Sequence, residues 1–244
     1  MFIDFLINIF SEKNDSEAII WKDKGYRYEW LNNNINKCLE FIDLHQIKRG
    51  SVVALEGDFS PNSIALLLAI IQKACIVVPL TKTNTSNNNE NRLFDIAQVE
   101  FVFRVNDNDV ITTETVSKRK ENDYYKVIRG KKHPGLVLFT SGTSGEPKAA
   151  VHDFMLLLEK FKTRKLALRT LNFLLFDHWG GLNTMFYILS NGGVVIATKN
   201  RNPNNVCKII EKYKIELLPA SPTFLNLLLL CGTHDNYDLN SLKI

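Results

Sequence analysis

The stretch V-L-F-T-S-G-T-S-G-E-P-K, residues 137–148, decides how the rest of the chain is read. A short apolar run enters it. Two Gly, four hydroxyl side chains and one Lys then fall within the nine residues 140–148. Gly142 and Gly145 let the backbone bend where a side chain would clash. Thr140, Ser141, Thr143 and Ser144 offer hydroxyl donors, and tight turns point backbone N–H groups inward. Lys148 adds a positive charge at the far end. This is the chemistry that holds a polyphosphate, whose oxygens accept hydrogen bonds and carry negative charge. The plainer reading of such a composition is a hydroxyl-rich turn between two strands. A Walker-type loop needs four residues between its glycines and then Gly-Lys-Ser/Thr. Here two residues separate Gly142 from Gly145 and Pro147 precedes Lys148, so that pattern is excluded.

Outward from this stretch the chain alternates strand and helix signals. Residues 18–21 and 26–28 flank a turn at 22–25, which contains Gly25, and read as a hairpin. Leu31, Ile35, Leu39 and Ile42 recur near helical spacing, which predicts an amphipathic helix over 30–44. A buried strand is expected at 52–56. Ser60-Pro61 opens a helix running to about Ala74, with Pro in its first turn. Strands at 76–80 and 100–105 flank a helix at 91–98, and 81–91 reads as a polar surface loop. Such a rhythm implies right-handed crossovers and a parallel sheet covered by helices. An edge strand is expected at 124–129, the strand feeding the loop at 136–140, and a second strand at 148–152. Asp153 is expected to cap a helix over 154–161. Strands at 171–176, 194–197 and 216–218 and helices at 182–189, 206–213 and 222–230 complete the reading. The expected division is one α/β subdomain over 1–135 and a second over 136–244.

Composition narrows the function classes. The 244 residues are 45% hydrophobic and 23% charged, ordinary for a globular protein with a sizeable core. The net charge of +4 is spread along the chain, and its short basic runs read as solvated loops rather than a nucleic-acid surface. Cys38, Cys75, Cys207 and Cys231 have neither C-x-x-C spacing nor a nearby His pair, so metal ligation is not expected of them. Residues 1–10 are apolar but lack a basic start, and the longest apolar region is shorter than a bilayer span. The expected location is the cytoplasm, with no membrane association.

A second constellation stands where the strand at 171–176 would end: Asp177-His178-Trp179-Gly180-Gly181. In open parallel sheets, ligands bind outside the carboxyl ends of the strands. A phosphate loop and an acid–histidine–aromatic cluster on one rim would suit a nucleotide and a second, organic substrate.

Residues 137–148 resemble, position by position, the AMP-binding signature of the adenylate-forming superfamily, which includes acyl- and aryl-CoA ligases and the adenylation domains of peptide synthetases. The Phe176–Gly181 segment, Asn191-Gly192-Gly193 and Leu218-Pro219-Ala220-Ser221-Pro222-Thr223 follow in that family's order. The resemblance covers nearly the whole chain. It implies parallel-rich sheets flanked by helices, in two subdomains of that family's N-terminal domain, incomplete at the C-terminal end. It also implies an ATP-dependent, Mg²⁺-assisted adenylation of a carboxylic acid. The acyl group then passes to a thiol, either CoA or the pantetheine of a carrier protein. By the same resemblance Thr140, Ser141, Gly142, Thr143, Ser144, Gly145 and Lys148 hold the phosphates. His178 positions the reacting carboxylate and adenylate, and Lys148 and His178 are the candidate catalytic residues. Asp177 matches an Asp that holds the substrate α-amino group in peptide-synthetase domains. Trp179 and Gly180 help shape the acyl pocket; Trp179 as plain core is the alternative. The family's aromatic-Gly-x-Thr-Glu segment, ribose-binding Asp and Lys-bearing small domain find no counterpart in 1–244. The expectation is therefore that this stretch alone adenylates little, and that a non-catalytic binding or scaffold role is the competing reading.

Overall fold

In the computed structural model, residues 2–82, 89–116, 122–141 and 146–243 are described. Helix α1 is Asp4–Glu12, the hairpin β1 (Glu17–Trp21) and β2 (Lys24–Arg27), and α2 is Tyr28–Leu44. Strand β3 (Val52–Glu56), helix α3 (Pro61–Gln72), strand β4 (Ile76–Leu80), helix α4 (Asn89–Ala97) and strand β5 (Phe101–Val105) give the expected alternation. Then come β6 (Ile111–Thr115), α5 (Asp123–Lys131), β7 (Gly135–Ser141), β8 (Pro147–Asp153) and α6 (Phe154–Leu158), the last running on into a 3₁₀ turn, Glu159–Phe161. The remainder is β9 (Arg169–Asn172), α7 (Trp179–Ser190), β10 (Val194–Ala197), α8 (Pro203–Tyr213) and α9 (Pro222–Leu230).

Two sheets form. One has six strands in the order β6-β5-β3-β4-β7-β8, and the other four in the order β2-β1-β10-β9. Pairings β3–β4, β3–β5, β4–β7, β1–β10 and β10–β9 are parallel; the hairpin partners β2, β6 and β8 run antiparallel at edges. The sheets do not divide at residue 135: β1 from the first stretch pairs with β10 from the last, and β4 pairs with β7. The subdomain boundary expected from the sequence therefore does not follow sheet membership. Strand order depends on which faces can be buried together, which chain order does not reveal.

Strand β3 shows how the layers stack. Val53 and Leu55 face a core shared with α1, α2, α3 and α7, while Val52 and Ala54 face α4 and α5. The inner face of the four-stranded sheet, through Ile19, Trp21, Val195 and Ala197, closes the same central core. Its outer face, through Ile20, Leu171 and Ile196, packs on α8. Five layers result, helix–sheet–helix–sheet–helix. Helix α3 is buried on every face from Ser63 to Ile71 because it lies between the two sheets, which explains its nearly unbroken apolar run.

Local chemistry sets the element ends. Ser60 accepts from Ser63 N at the start of α3, and the buried Asp109 accepts from Ser60 Oγ at 2.5 Å and from Asn62 N at 3.0–3.1 Å. The β1–β2 turn is Lys22-Asp23, both left-handed, inside the expected 22–25, while Gly25 itself lies within β2. The 124–129 segment expected as an edge strand is instead helix α5. Asn122 caps it by accepting from Tyr124 N at 2.9 Å, and Tyr125 and Ile128, three apart, bury together. The strand expected at 216–218 reduces to one bridge between Leu217 and Thr170, since Pro219 next along has no N–H to continue a ladder. Strand β9 ends at Asn172, short of the expected Phe176, and the Phe173 carbonyl accepts from Arg201 Nε instead of a strand partner. Edge strand β6 carried no readable signal in the sequence. The thiols of Cys38, Cys75 and Cys207 are buried and Cys231 is exposed.

Asp153 caps α6 as expected, accepting from Met155 N at 3.2 Å. It also accepts from His133 Nδ1 at 3.0 Å and Lys131 Nζ at 3.2 Å. Burial pushes its carboxyl up, but the bonds from His133 and Lys131 prevail and hold it below the usual carboxylate range. A depressed folded pKa stabilises above the unfolded value and is lost as pH falls through the folded one. Asp153→Ala should therefore cost about 1–2 kcal/mol near neutrality. Urea titration should show that difference narrowing below about pH 4.

Candidate active site

The strand pair β7–β8 builds the stem of the 140–148 segment. It is in register from Gly135 opposite Asp153 to Ser141 opposite Pro147, and places Thr140 opposite Lys148. Both residues are exposed, and Thr140 Oγ1 donates to the Lys148 carbonyl at 3.5 Å. Inward residues Leu136, Val137 and Leu138 are buried between core layers and anchor the stem. Lys148 makes no ion pair with a described residue, whereas the neighbouring Glu146 pairs with Arg92 of α4. An exposed ammonium without a described counter-ion, beside the Thr140 hydroxyl at the end of a paired stem, has the chemistry to meet an oligophosphate. Thr140, Ser141 and Lys148 thus sit at the stem; Gly142, Thr143, Ser144 and Gly145 lie outside the described residues.

The second constellation sits at the start of α7. His178 is the residue preceding the helix, with extended backbone and no capping bond from its side chain. Its ring Nδ1 lies 2.8 Å from Asp177 Oδ1. Asp177 Oδ2 accepts from Thr81 Oγ1 at 3.1 Å. The Asp177 side chain is 4% exposed and that of His178 is 60% exposed. The carboxylate therefore points inward and the imidazole outward. A carboxylate only accepts, so the ring donates from Nδ1 and presents Nε2 to solvent. A negative charge at this helix start also meets the positive end of the helix dipole.

Thr81 ties this cluster to the stem. It follows the last residue of β4, and β4 pairs in parallel with β7. Asp177 is thereby held at the carboxyl-end rim of the six-stranded sheet, the rim from which the 140–148 loop rises. Sequence reasoning placed Thr81 in a polar loop and assigned it no role. Its available signal was its position directly after a buried parallel strand.

The segment reaches this place because Gly181 allows it. A Cβ there would stand 2.2 Å from the Leu175 carbonyl oxygen and 3.0 Å from the Phe59 ring, so α7 can approach only without a side chain. Phe176 packs edge-on against Phe59 at 5.1 Å between ring centroids. Arg201 pairs with Asp58 at 3.0 Å and so links the ends of β10 and β3 beneath the site. Trp179 is half-buried against the central core, with Lys160 Nζ 5.0 Å from its ring, and Gly180 is exposed. Ser221 caps α9 by accepting from Phe224 N at 3.2 Å. No helix of the described residues is long and apolar enough to cross a membrane.

The chain is 24% identical over 233 residues to a dimodular nonribosomal peptide synthase of Bacillus subtilis, covering 84% of this chain and 10% of that protein. It is 24% identical over 260 residues to a D-alanine--D-alanyl carrier protein ligase of Staphylococcus epidermidis, covering 99% of this chain and 52% of that one. The chain thus spans about a tenth of the first relative and about half of the second. Among solved structures, the N-terminal domain of FACL13 from Mycobacterium tuberculosis superposes with a TM-score of 0.78 at 16% identity, covering 99% of this chain and 68% of that one. That likeness shows the fold: parallel-rich sheets flanked by helices, as in the N-terminal domain of adenylate-forming enzymes. Residues 9–244 match the AMP-binding enzyme family, and the chain belongs to it.

Proposed function

We propose that this chain carries the phosphate-gripping and acid-positioning part of an AMP-forming, ATP-dependent carboxylic acid–thiol ligase. In the first step a substrate carboxylate oxygen attacks the α-phosphorus of ATP, forming a mixed anhydride and releasing pyrophosphate. In the second a thiol, of CoA or of a carrier-bound pantetheine, attacks the acyl carbon and releases AMP. Thr140, Lys148 and the 140–148 loop hold the β- and γ-phosphates and the departing pyrophosphate. Mg²⁺ would enter with the nucleotide and spread the charge developing on its oxygens. His178 offers Nε2 at the rim, where it orients the carboxylate and stabilises charge on the forming adenylate.

The observation that carries the reading is the direction of Asp177. A carboxylate that holds a substrate ammonium must face the pocket. Here both oxygens are engaged by Thr81 and His178, and the side chain is 4% exposed. This supports His178, not Asp177, as the group that meets the substrate, and so an aliphatic or aryl acid over an α-amino acid. The test is exchange of labelled pyrophosphate into ATP by the full-length protein, run against fatty, aryl and amino acids. Exchange with a fatty or aryl acid is the expected result. Exchange confined to amino acids would transfer the substrate-binding role to Asp177, and none with any acid would overturn the ligase reading.

A further inference from the structure

A second basic site lies away from the phosphate loop, on the outer face of the four-stranded sheet. There the ends of β1 and β10 and the flank of α8 enclose a cleft of about 290 Å³. Lys22, Lys199, Lys208 and Lys212 line it, and Asp23 is the one carboxylate among its described lining residues. Lys208 and Lys212 are four apart on one helix and so share a face, where like charges cost stability unless a counter-charge is present. Lys22 and Lys199 arrive from two neighbouring strand ends. Like charge has thus been gathered from three separate elements.

The partners these lysines have are weak ones. Lys22 Nζ donates to the Asp107 carbonyl at 2.5 Å and Lys199 Nζ to Asp107 Oδ1 at 2.5 Å, with Lys82 Nζ 3.1 Å from the same oxygen. The Asp107 side chain is 64% exposed. Lys212 pairs with Asp23 at 2.7 Å, and the Asp23 side chain is 72% exposed. Exposed pairs of this kind hold little and exchange readily. Lys208 makes no ion pair or hydrogen bond with a described residue and reaches Asp23 only at longer range. The bonds and charges of Lys199 and then Lys82 hold the Asp107 carboxyl down to about 2. The cleft is floored by Ile20 and Ile196, and Trp21 lies at its edge with Lys22 Nζ 4.6 Å from its ring.

We propose that this cleft binds a small molecule bearing two or more phosphate groups, its charge met by Lys208, Lys212, Lys22 and Lys199 and its uncharged part lying on the apolar floor. The volume is at the small end for ligand pockets, which favours a compact solute over a macromolecule. The cleft and the 140–148 loop belong to different sheets, so this site stands or falls separately from the ligase reading.

The test is calorimetric titration of the full-length protein with inorganic tripolyphosphate at matched ionic strength, in a Lys148→Ala background intended to disable the loop. Binding is expected to persist in Lys148→Ala. Adding Lys208→Ala and Lys212→Ala should weaken it about ten-fold or more. Lys208→Arg with Lys212→Arg should retain it, and thermal melts should be unchanged because these side chains are largely exposed. Affinity unchanged by the double alanine variant would overturn the proposal. So would a wild-type titration abolished by Lys148→Ala alone, which would leave the phosphate loop as the binding site. A third arm uses phosphatidylcholine vesicles containing phosphatidylinositol bisphosphate; sedimentation with them in the absence of any tripolyphosphate binding would replace the soluble ligand with a membrane headgroup and overturn the assignment.

Discussion

Asp177→Ala is expected to lower carboxylate-dependent pyrophosphate exchange by the full-length protein by about 10²–10³-fold, the range for losing a positioned catalytic donor or base. The loss should fall on kcat, with the KM for ATP nearly unchanged, because the residues proposed to grip the phosphates lie on the β7–β8 hairpin, apart from the start of α7. The physical chain is short. Thr81 fixes Asp177, Asp177 fixes the His178 ring through Nδ1, and Nε2 is thereby aimed outward. Without the carboxylate the ring rotates and samples both tautomers, so the productive fraction falls. Thr81→Val should act in the same direction but more weakly, by about ten-fold, since one hydrogen bond to a charged group is removed. Thr81→Ser should restore most of the rate, which a purely packing role for the methyl group would not allow. If Asp177→Ala instead raises the KM for an amino acid substrate and spares kcat, Asp177 is a substrate ligand and the assignment to His178 is wrong.

Lys148→Ala should reduce the same exchange by about 10²–10³-fold, as for removal of one charge-stabilising donor from a reaction that develops negative charge. Lys148 stands opposite Thr140 at the top of the β7–β8 stem, with no described counter-ion. The proposed adenylation expels pyrophosphate, so the stabilisation Lys148 would supply is larger in the transition state than for bound ATP. The rate should therefore fall further than nucleotide affinity. Thr143→Ala should move the rate in the same direction. The discriminating measurement is kcat and KM for ATP determined separately. Equal exchange by wild type and Lys148→Ala would remove the loop from the mechanism.

Elements whose signals are local were legible in the chain. The helix start at Ser60-Pro61, the Asp153 cap and the buried strands β3, β4 and β10 lie where periodicity and capping chemistry put them. Failures came where two local signals competed. In 124–129 the aromatic and β-branched residues favour a strand, but the Asn122 cap and the i,i+3 burial of Tyr125 and Ile128 favour a helix, and the second set won. At the hairpin the expected 22–25 turn narrows to Lys22-Asp23, whose side chains then line the α8 cleft, and Gly25 joins β2.

By itself, the sequence determined the AMP-binding signature at 137–148, the exclusion of the Walker pattern and the helix–strand alternation, because each rests on residues within a dozen positions of one another. The tertiary structure alone decided which strands share a sheet and which way Asp177 points. Strand β1 meets β10 across the length of the chain because both need apolar faces covered by the same central helices. Thr81 and Asp177 are 96 residues apart, and only the crossover that places β4 beside β7 and brings α7 to that rim joins them. A side chain's role at such a site depends on which way it points, and direction is set by packing rather than by spacing along the chain.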